Sequence, residues 1–300
     1  MARVTTGIAP SNGVEIAYET HGDANDEPLL LVMGLGAQLI TWPIELVDAL
    51  VDRGFHVVRY DNRDTGLSTK IDDGAGGLDF MAQFMAASQG RAIQTPYQLT
   101  DMAADGIGLL DHLGIDSAHI VGASMGGMIA QTMAIEHPSR VRTLTSIMST
   151  TGDADVGQPT PEAMQALLSP PATTRDEAIA RSVQTTRTIS APVHFDEAHA
   201  RKRAEEAYDR CFYPAGVARQ LLGILASGSR TERLARIDIP ALVVHGSLDP
   251  LVTLSGGERT AEAIPGAELL VLEDMAHDLP LPLVPQIVDA ITNLVARSNT

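Results

Sequence analysis

"HIVGASMGGMIAQ" (His119–Gln131) passes from one local pattern to another within a few residues. Ile120 and Val121 read as a buried strand, and Met128, Ile129 and Met133 follow at helical spacing. A single serine, Ser124, sits between Gly122 and Gly126 at the change. Before it, "VEIAY" (14–18), "LLLVMG" (29–34) and "FHVVRYD" (55–61) read as strands. "TPYQLTDMAADGIGLLDHLG", from Thr95, reads as a helix with a capping box of Thr95 and Gln98, Pro96 at its first position and Gly114 at its end. After the serine come a helix to Pro138 and a strand, "VRTLTSIM" (141–148). Such alternation implies a mostly parallel sheet covered by helices on both faces.

After Thr150 the pattern changes. Residues 151–228 hold helical stretches such as "DEAIARSVQTTRTI" and "DEAHARKRAEEAYDR", proline-rich joints at 159–161 and 170–171, and no convincing strand. Strands return with "ALVVHG" (241–246) and "AELLVL" (267–272). A last amphipathic helix carries Leu283, Val284, Ile287, Val288, Ile291, Leu294 and Val295. The expected organisation is one α/β core, residues 1–150 and 229–300, interrupted by a helical insertion at 151–228.

Composition narrows the function. The 300 residues are 44% hydrophobic, enough for a substantial core. The formal charge of −17 opposes nucleic acid and anionic membranes as partners. The longest apolar run, Leu29–Ala37, is too short to span a bilayer. The first residues lack the basic-then-apolar plan of a secretory signal, and Cys211 is the lone cysteine, so a reducing cytoplasm is the expected location. No H-E-x-x-H, paired-cysteine or P-loop motif is found, so neither metal nor cofactor is expected.

Gly122-x-Ser124-x-Gly126 fits a nucleophile elbow. A bare G-x-S-x-G arises by chance in about one chain in ten of this length, so the strand before it and the helix after it carry the weight. A serine alcohol needs a base, and the base an orienting acid, on loops after later strands and in the order Ser, acid, His. Asp249 follows "ALVVHG" and His277 follows "AELLVL", which meets that order. His21, His56 and His119 precede the serine, and His112 and His137 sit on helices. His245 ends a strand and reads as a turn-stabilising residue, and His194 and His199 lie in the insertion. Asp274 and Asp278 are too close in sequence to His277 to stand behind its ring. The two oxyanion donors should be the N–H of Met125, after the nucleophile, and that of Leu35 in "VMGLGAQ", where Gly34 and Gly36 allow close approach. Met33, Trp42, Met164, Phe212 and Tyr213 are candidates for an apolar substrate pocket.

On these residues the chain resembles the α/β-hydrolase superfamily. "GASMGG", "HGSLDP" and "MAHDLP" match its nucleophile, acid and histidine segments, and "RYDNRDTGLS" (59–68) its D-x-R-G-x-G-x-S segment, with Asp64 in place of the first glycine. "LLLVMGLGAQLITWP", "VVRYDNRDTGLST" and "VGASMGGMIAQ" are more narrowly similar to the aclacinomycin methylesterase group of bacterial serine esterases. The similarity covers most of 14–150 and 235–295 and is weak in the insertion. It implies an α/β-hydrolase fold with a helical cap, and Ser124, Asp249 and His277 as nucleophile, acid and base, with Leu35 and Met125 as oxyanion donors. Met33-Gly34 replaces the superfamily's frequent His-Gly, as in the methylesterase group. The expected activity is hydrolysis of small-molecule carboxylic esters, methyl or short-chain acyl esters among them, through an acyl-enzyme. The same machinery serves C–C bond hydrolases, lactonases, thioesterases and perhydrolases. A non-catalytic small-molecule-binding protein of this fold is the alternative from another class.

Overall fold

The computed structural model describes residues 4–71, 79–169 and 172–298. Eight strands form one sheet in the order β1-β2-β4-β3-β5-β6-β7-β8. They are β1 (Thr5–Ser11), β2 (Val14–His21), β3 (Glu27–Val32), β4 (Phe55–Tyr60), β5 (Ala118–Ala123), β6 (Val141–Ile147), β7 (Ala241–Gly246) and β8 (Glu268–Leu272). β2 runs antiparallel to β1 and β4, and β3 to β8 run parallel. The helices are α1 (Ile44–Val51), α2 (Phe80–Ser88), α3 (Leu99–His112), α4 (Met125–Glu136), α5 (Pro161–Leu167), α6 (Arg175–Ile189), α7 (Glu197–Arg210), α8 (Pro214–Ser227), α9 (Thr231–Leu234), α10 (Ser255–Ala263) and α11 (Val284–Ser298).

Strands β4, β5 and β7 are buried along their whole length, and β6 everywhere but at Arg142, which is why their sequences are largely apolar runs rather than alternating ones. Two cores flank the sheet. One packs Leu99, Met102, Leu109 and Leu110 of α3 and Ile129 and Met133 of α4 against β3 and β5. The other packs Leu46, Val47 and Leu50 of α1 and Ile287, Val288, Ile291 and Leu294 of α11 against the opposite face.

One reading is corrected and one strand is added. The helix expected from Thr95 begins at Leu99: Gln98 is its N-cap, and Asp101 closes the capping box. Thr95 instead bonds the Tyr97 carbonyl, while the Tyr97 hydroxyl reaches Asp64 Oδ2 at 2.6 Å in a buried contact. That tertiary contact holds Tyr97 outside the helix. β1 gave no legible strand signal because its sequence, "TTGIAPS", contains glycine and proline. An edge strand tolerates proline, since its outward N–H has no ladder partner to lose. Gly114 ends α3 as expected, with φ +70°.

Residues 151–228 contain α5 to α8 and, among the described residues, no strand; the joint at 170–171 lies outside the described residues. α6 and α7 pair around a small core of Ile179, Val183, Ala200 and Ala204. No helix among the described residues is long and apolar enough to cross a membrane.

Candidate active site

Ser124 joins β5 to α4 at φ +57°, ψ −121°, a conformation that costs a side-chain-bearing residue of order 1–3 kcal/mol. The flanking glycines make the turn possible. A Cβ on Gly122 would lie 2.1 Å from the Gly126 carbonyl oxygen, and one on Gly126 would lie 2.0 Å from that of Val32. Strand, helix and the neighbouring strand therefore pass at backbone distance, and Ser124 projects from the top of the sheet. Its N–H donates to Ile147 O at 2.9 Å, and its carbonyl accepts from Ser149 Oγ at 2.8 Å.

Three side chains from three loops meet here. Ser124 Oγ is 2.9 Å from His277 Nε2, and His277 Nδ1 is 2.7 Å from Asp249 Oδ2. Asp249 and His277 are buried, which strengthens their electrostatic coupling, while Ser124 is only half-buried. Asp249 is braced by its own loop: Oδ1 accepts the N–H groups of Leu251 at 2.8 Å and Val252 at 2.9 Å. With a carboxylate at Nδ1, the ring carries its proton there, and Nε2 faces the hydroxyl as an acceptor. His277 N–H also donates to Ile189 O at 2.9 Å, which ties its loop to the end of α6.

The other candidates have separate partners. His245 is buried, its Nε2–H donates to Val252 O at 2.7 Å, and burial pushes its pKa down, so it is a neutral brace of the Asp249 loop. Asp278 accepts Ala276 N–H at 3.2 Å, and burial raises its carboxyl. Asp274 is exposed.

Two backbone N–H groups border the serine. Met125 opens α4, and its amide has no acceptor among the described residues, as expected at a helix N-terminus. The Leu35 amide likewise has none. The loop bearing it passes directly over the serine, for a Cβ on Gly34 would lie 3.1 Å from Ser124 Cβ and 3.6 Å from Oγ. Two donors without acceptors near a hydroxyl, one of them at a helix N-terminus, are the kind of groups that an oxyanion would require.

The five pocket candidates have different surroundings. Met33 and Trp42 belong to the core packed by α1 and α11, and Trp42 Nε1 is buried without a partner. Met164 is half-buried on α5. Phe212 is 42% exposed and stacks on Tyr208. The Tyr213 hydroxyl accepts from Arg219 Nη2 at 2.7 Å.

Asp64, the departure from the superfamily pattern, sits at φ +67°, where glycine is favoured. Its carboxylate is in use. It accepts the Tyr97 hydroxyl, Ile71 N–H at 2.8 Å, and both Nε and Nη2 of Arg219 from α8, at 2.8 and 3.0 Å. These bonds hold a left-handed residue in place. Sequence reading missed them because Arg219 lies in the poorly matched insertion.

Among known proteins, the α/beta hydrolase fold family model matches residues 27–281. The chain belongs to the α/β-hydrolase family. Within it, the rhodomycin D methylesterase of Streptomyces peucetius is 30% identical over 95% of this chain and 96% of its own length, which bears out the resemblance to the methylesterase group. A 3-oxoadipate enol-lactonase of Acinetobacter baylyi is 28% identical over 87% and 85% of the two chains. The crystal structure of a meta-cleavage product hydrolase from Pseudomonas fluorescens superimposes with a TM-score of 0.76 at 20% identity, over 97% of this chain and 98% of that one, and so shares the fold.

Proposed function

We propose that this chain is a serine esterase that hydrolyses small-molecule carboxylic esters, methyl or short-chain acyl esters in particular, through an acyl-enzyme. The observation that carries the reading is the unbroken chain from Ser124 Oγ to His277 to Asp249, at 2.9 and 2.7 Å, on a strained turn bordered by two unpaired N–H groups. The full-length similarity to a methylesterase supports the ester as substrate. Its single cysteine suits work in the reducing cytoplasm.

His277 Nε2 takes the hydroxyl proton as Ser124 Oγ bonds to the ester carbonyl carbon. The carbonyl oxygen becomes an alkoxide, held by the Leu35 and Met125 N–H groups. The C–O bond to the alcohol then breaks, and the imidazolium gives its proton to the leaving alkoxide. Water attacks the acyl-enzyme with His277 again as base, which releases the carboxylic acid and restores Ser124. Asp249 keeps the ring in the acceptor tautomer and stabilises its cation. Residues 151–228 act as a cap over this site, seated on the His277 loop through Ile189.

A fluorophosphonate probe followed by intact mass and peptide mapping tests this. One adduct per chain on Ser124, together with turnover of alkyl and acyl esters, is the expected result. A folded protein that takes no adduct and cleaves no ester overturns it, and faster opening of lactones than of linear esters reassigns the substrate.

A further inference from the structure

The loop after β3 is gripped at both ends by side chains with no part in the bond-making steps. Asn62 Nδ2 donates to Met33 O at 2.9 Å. At the other end Gly36 N–H donates to Gln220 Oε1 at 2.8 Å. Gln220 stands on α8 and is fully buried, and its Nε2 donates to Arg63 O at 2.7 Å and Thr65 Oγ1 at 2.8 Å. We propose that Gln220 is a positioning residue for the oxyanion-binding loop, fixing the peptide that carries Leu35 N–H in the orientation the reaction needs. The inference rests on the esterase reading, in which that N–H binds the oxyanion.

The argument is one of successive peptide planes. The carbonyl of Met33 belongs to the peptide between residues 33 and 34, and the Gly36 N–H to that between 35 and 36. The peptide between 34 and 35, which bears Leu35 N–H, lies between these two anchors. Its own carbonyl, Gly34 O, accepts Ala37 N–H at 3.2 Å. In a planar trans peptide the N–H then points the opposite way. The Gln220 amide can do this in only one orientation. Its NH₂ faces two oxygens and its oxygen faces an N–H, and a flip would set donor against donor and acceptor against acceptor. The fit is close as well as polar: a Cβ on Gly36, where φ is +65°, would lie 2.7 Å from Val217, one helical turn before Gln220. The cap helix therefore bears directly on the loop.

Removing an oxyanion donor lowers kcat by about 10²–10³, and a displacement of about 1 Å costs about 10²-fold. Gln220→Met keeps the side-chain length and removes the acceptor. Turnover is counted per active site by fluorophosphonate titration, so a loss of folded enzyme does not register as slower chemistry. The expected result is a kcat lower by about 10–100-fold with KM within about threefold, and an equal loss of affinity for a trifluoromethyl ketone that mimics the tetrahedral adduct. Gln220→Glu keeps an acceptor for Gly36 N–H, and its fully buried carboxyl, held neutral, donates its O–H to Arg63 O in place of the amide, so kcat should return to within about tenfold of the parent. A folded Gln220→Met with unchanged kcat, a change confined to KM, or a Gln220→Glu as slow as Gln220→Met overturns the inference. If Gln220→Met does not fold, Gln220→Glu decides alone on the same tenfold line. Failure of the parent enzyme to label at Ser124 or to cleave esters overturns the esterase reading instead, so the two failures are distinct.

Discussion

The α/β core and the helices of residues 151–228 are held by different forces. The core buries continuous apolar strands between two layers of Leu, Ile, Val and Met. The helical segment has a core of its own made, among the described residues, of four buried residues, two of them alanine. It is seated on the strand ends by polar contacts: Arg219 on Asp64, Arg210 Nη1 on Asp61 Oδ2 at 2.7 Å, Arg203 Nη2 on Thr41 O at 2.5 Å, and Gln220 on the loop after β3. Apolar burial is non-directional and tolerates substitution of like volume, whereas a buried charge pair is exacting and fails sharply when one partner goes. On the proposed reading, the chemistry is thus built on the tolerant region and roofed by the exacting one.

The largest expected effect lies in the core. On the proposed mechanism, in which the three groups act as a unit, Ser124→Ala should lower kcat by about 10⁶ and Asp249→Asn by about 10⁴. Steady-state ester hydrolysis checks both, and a loss under about tenfold removes that residue from its role. Neither change should alter the seating of the helices. A large fall in melting temperature for Ser124→Ala would therefore erase the division between chemistry and support.

Next comes the seat itself. Arg219→Met leaves the fully buried Asp64 carboxylate without its guanidinium, although Tyr97 and Ile71 still donate to it. Breaking a buried pair costs about 3–5 kcal/mol, and the surviving donors favour the lower end. Urea unfolding measures this, and Asp64→Asn in the same chain should recover part of the loss. The contrast is Arg175→Met, which breaks an exposed bidentate pair with Asp209 inside the helical segment and should leave the unfolding midpoint where it was. Equal destabilisation by the two variants would mean that burial does not distinguish the seat from the surface.

The same difference in forces explains what could be read from sequence. Strands β2 to β8, the Ser124 turn and the order of Asp249 and His277 were legible because apolar patterning, glycine spacing and loop position are local signals. β1 hid behind Gly7 and Pro10, and the start of α3 moved because Tyr97 is bound to Asp64, 33 residues away. Gln220 was invisible: its partners are Gly36, Arg63 and Thr65, more than 150 residues back along the chain, and a glutamine on a helix reads as solvent-facing. The seat of the helical segment is composed of such long-range polar contacts, so no periodicity announces it.

The smallest effect probes a polar group inside the tolerant region. His119, on β5, is fully buried, with Nδ1 3.0 Å from Thr143 Oγ1, and burial pushes its pKa down from 6.5 to about 4. The folded chain therefore resists a proton that the unfolded chain accepts. As pH falls below about 6.5 the unfolded state binds more protons, and stability declines until His119 also titrates near pH 4. His56 and His245, likewise lowered by burial, act in the same direction. Glu19, held down to about 2 beside His21 and Arg59, loses its contribution only at more acid pH, between about 4.5 and 2. Melting temperatures should thus fall between pH 6.5 and 4, and His119→Gln should flatten part of that slope while leaving ester turnover at pH 7.5 within about twofold. If His119→Gln instead slowed turnover as deeply as Gln220→Met, the core would be transmitting strain to the serine turn through β5, and the assignment of precise positioning to the polar grips on the loop after β3 would not hold.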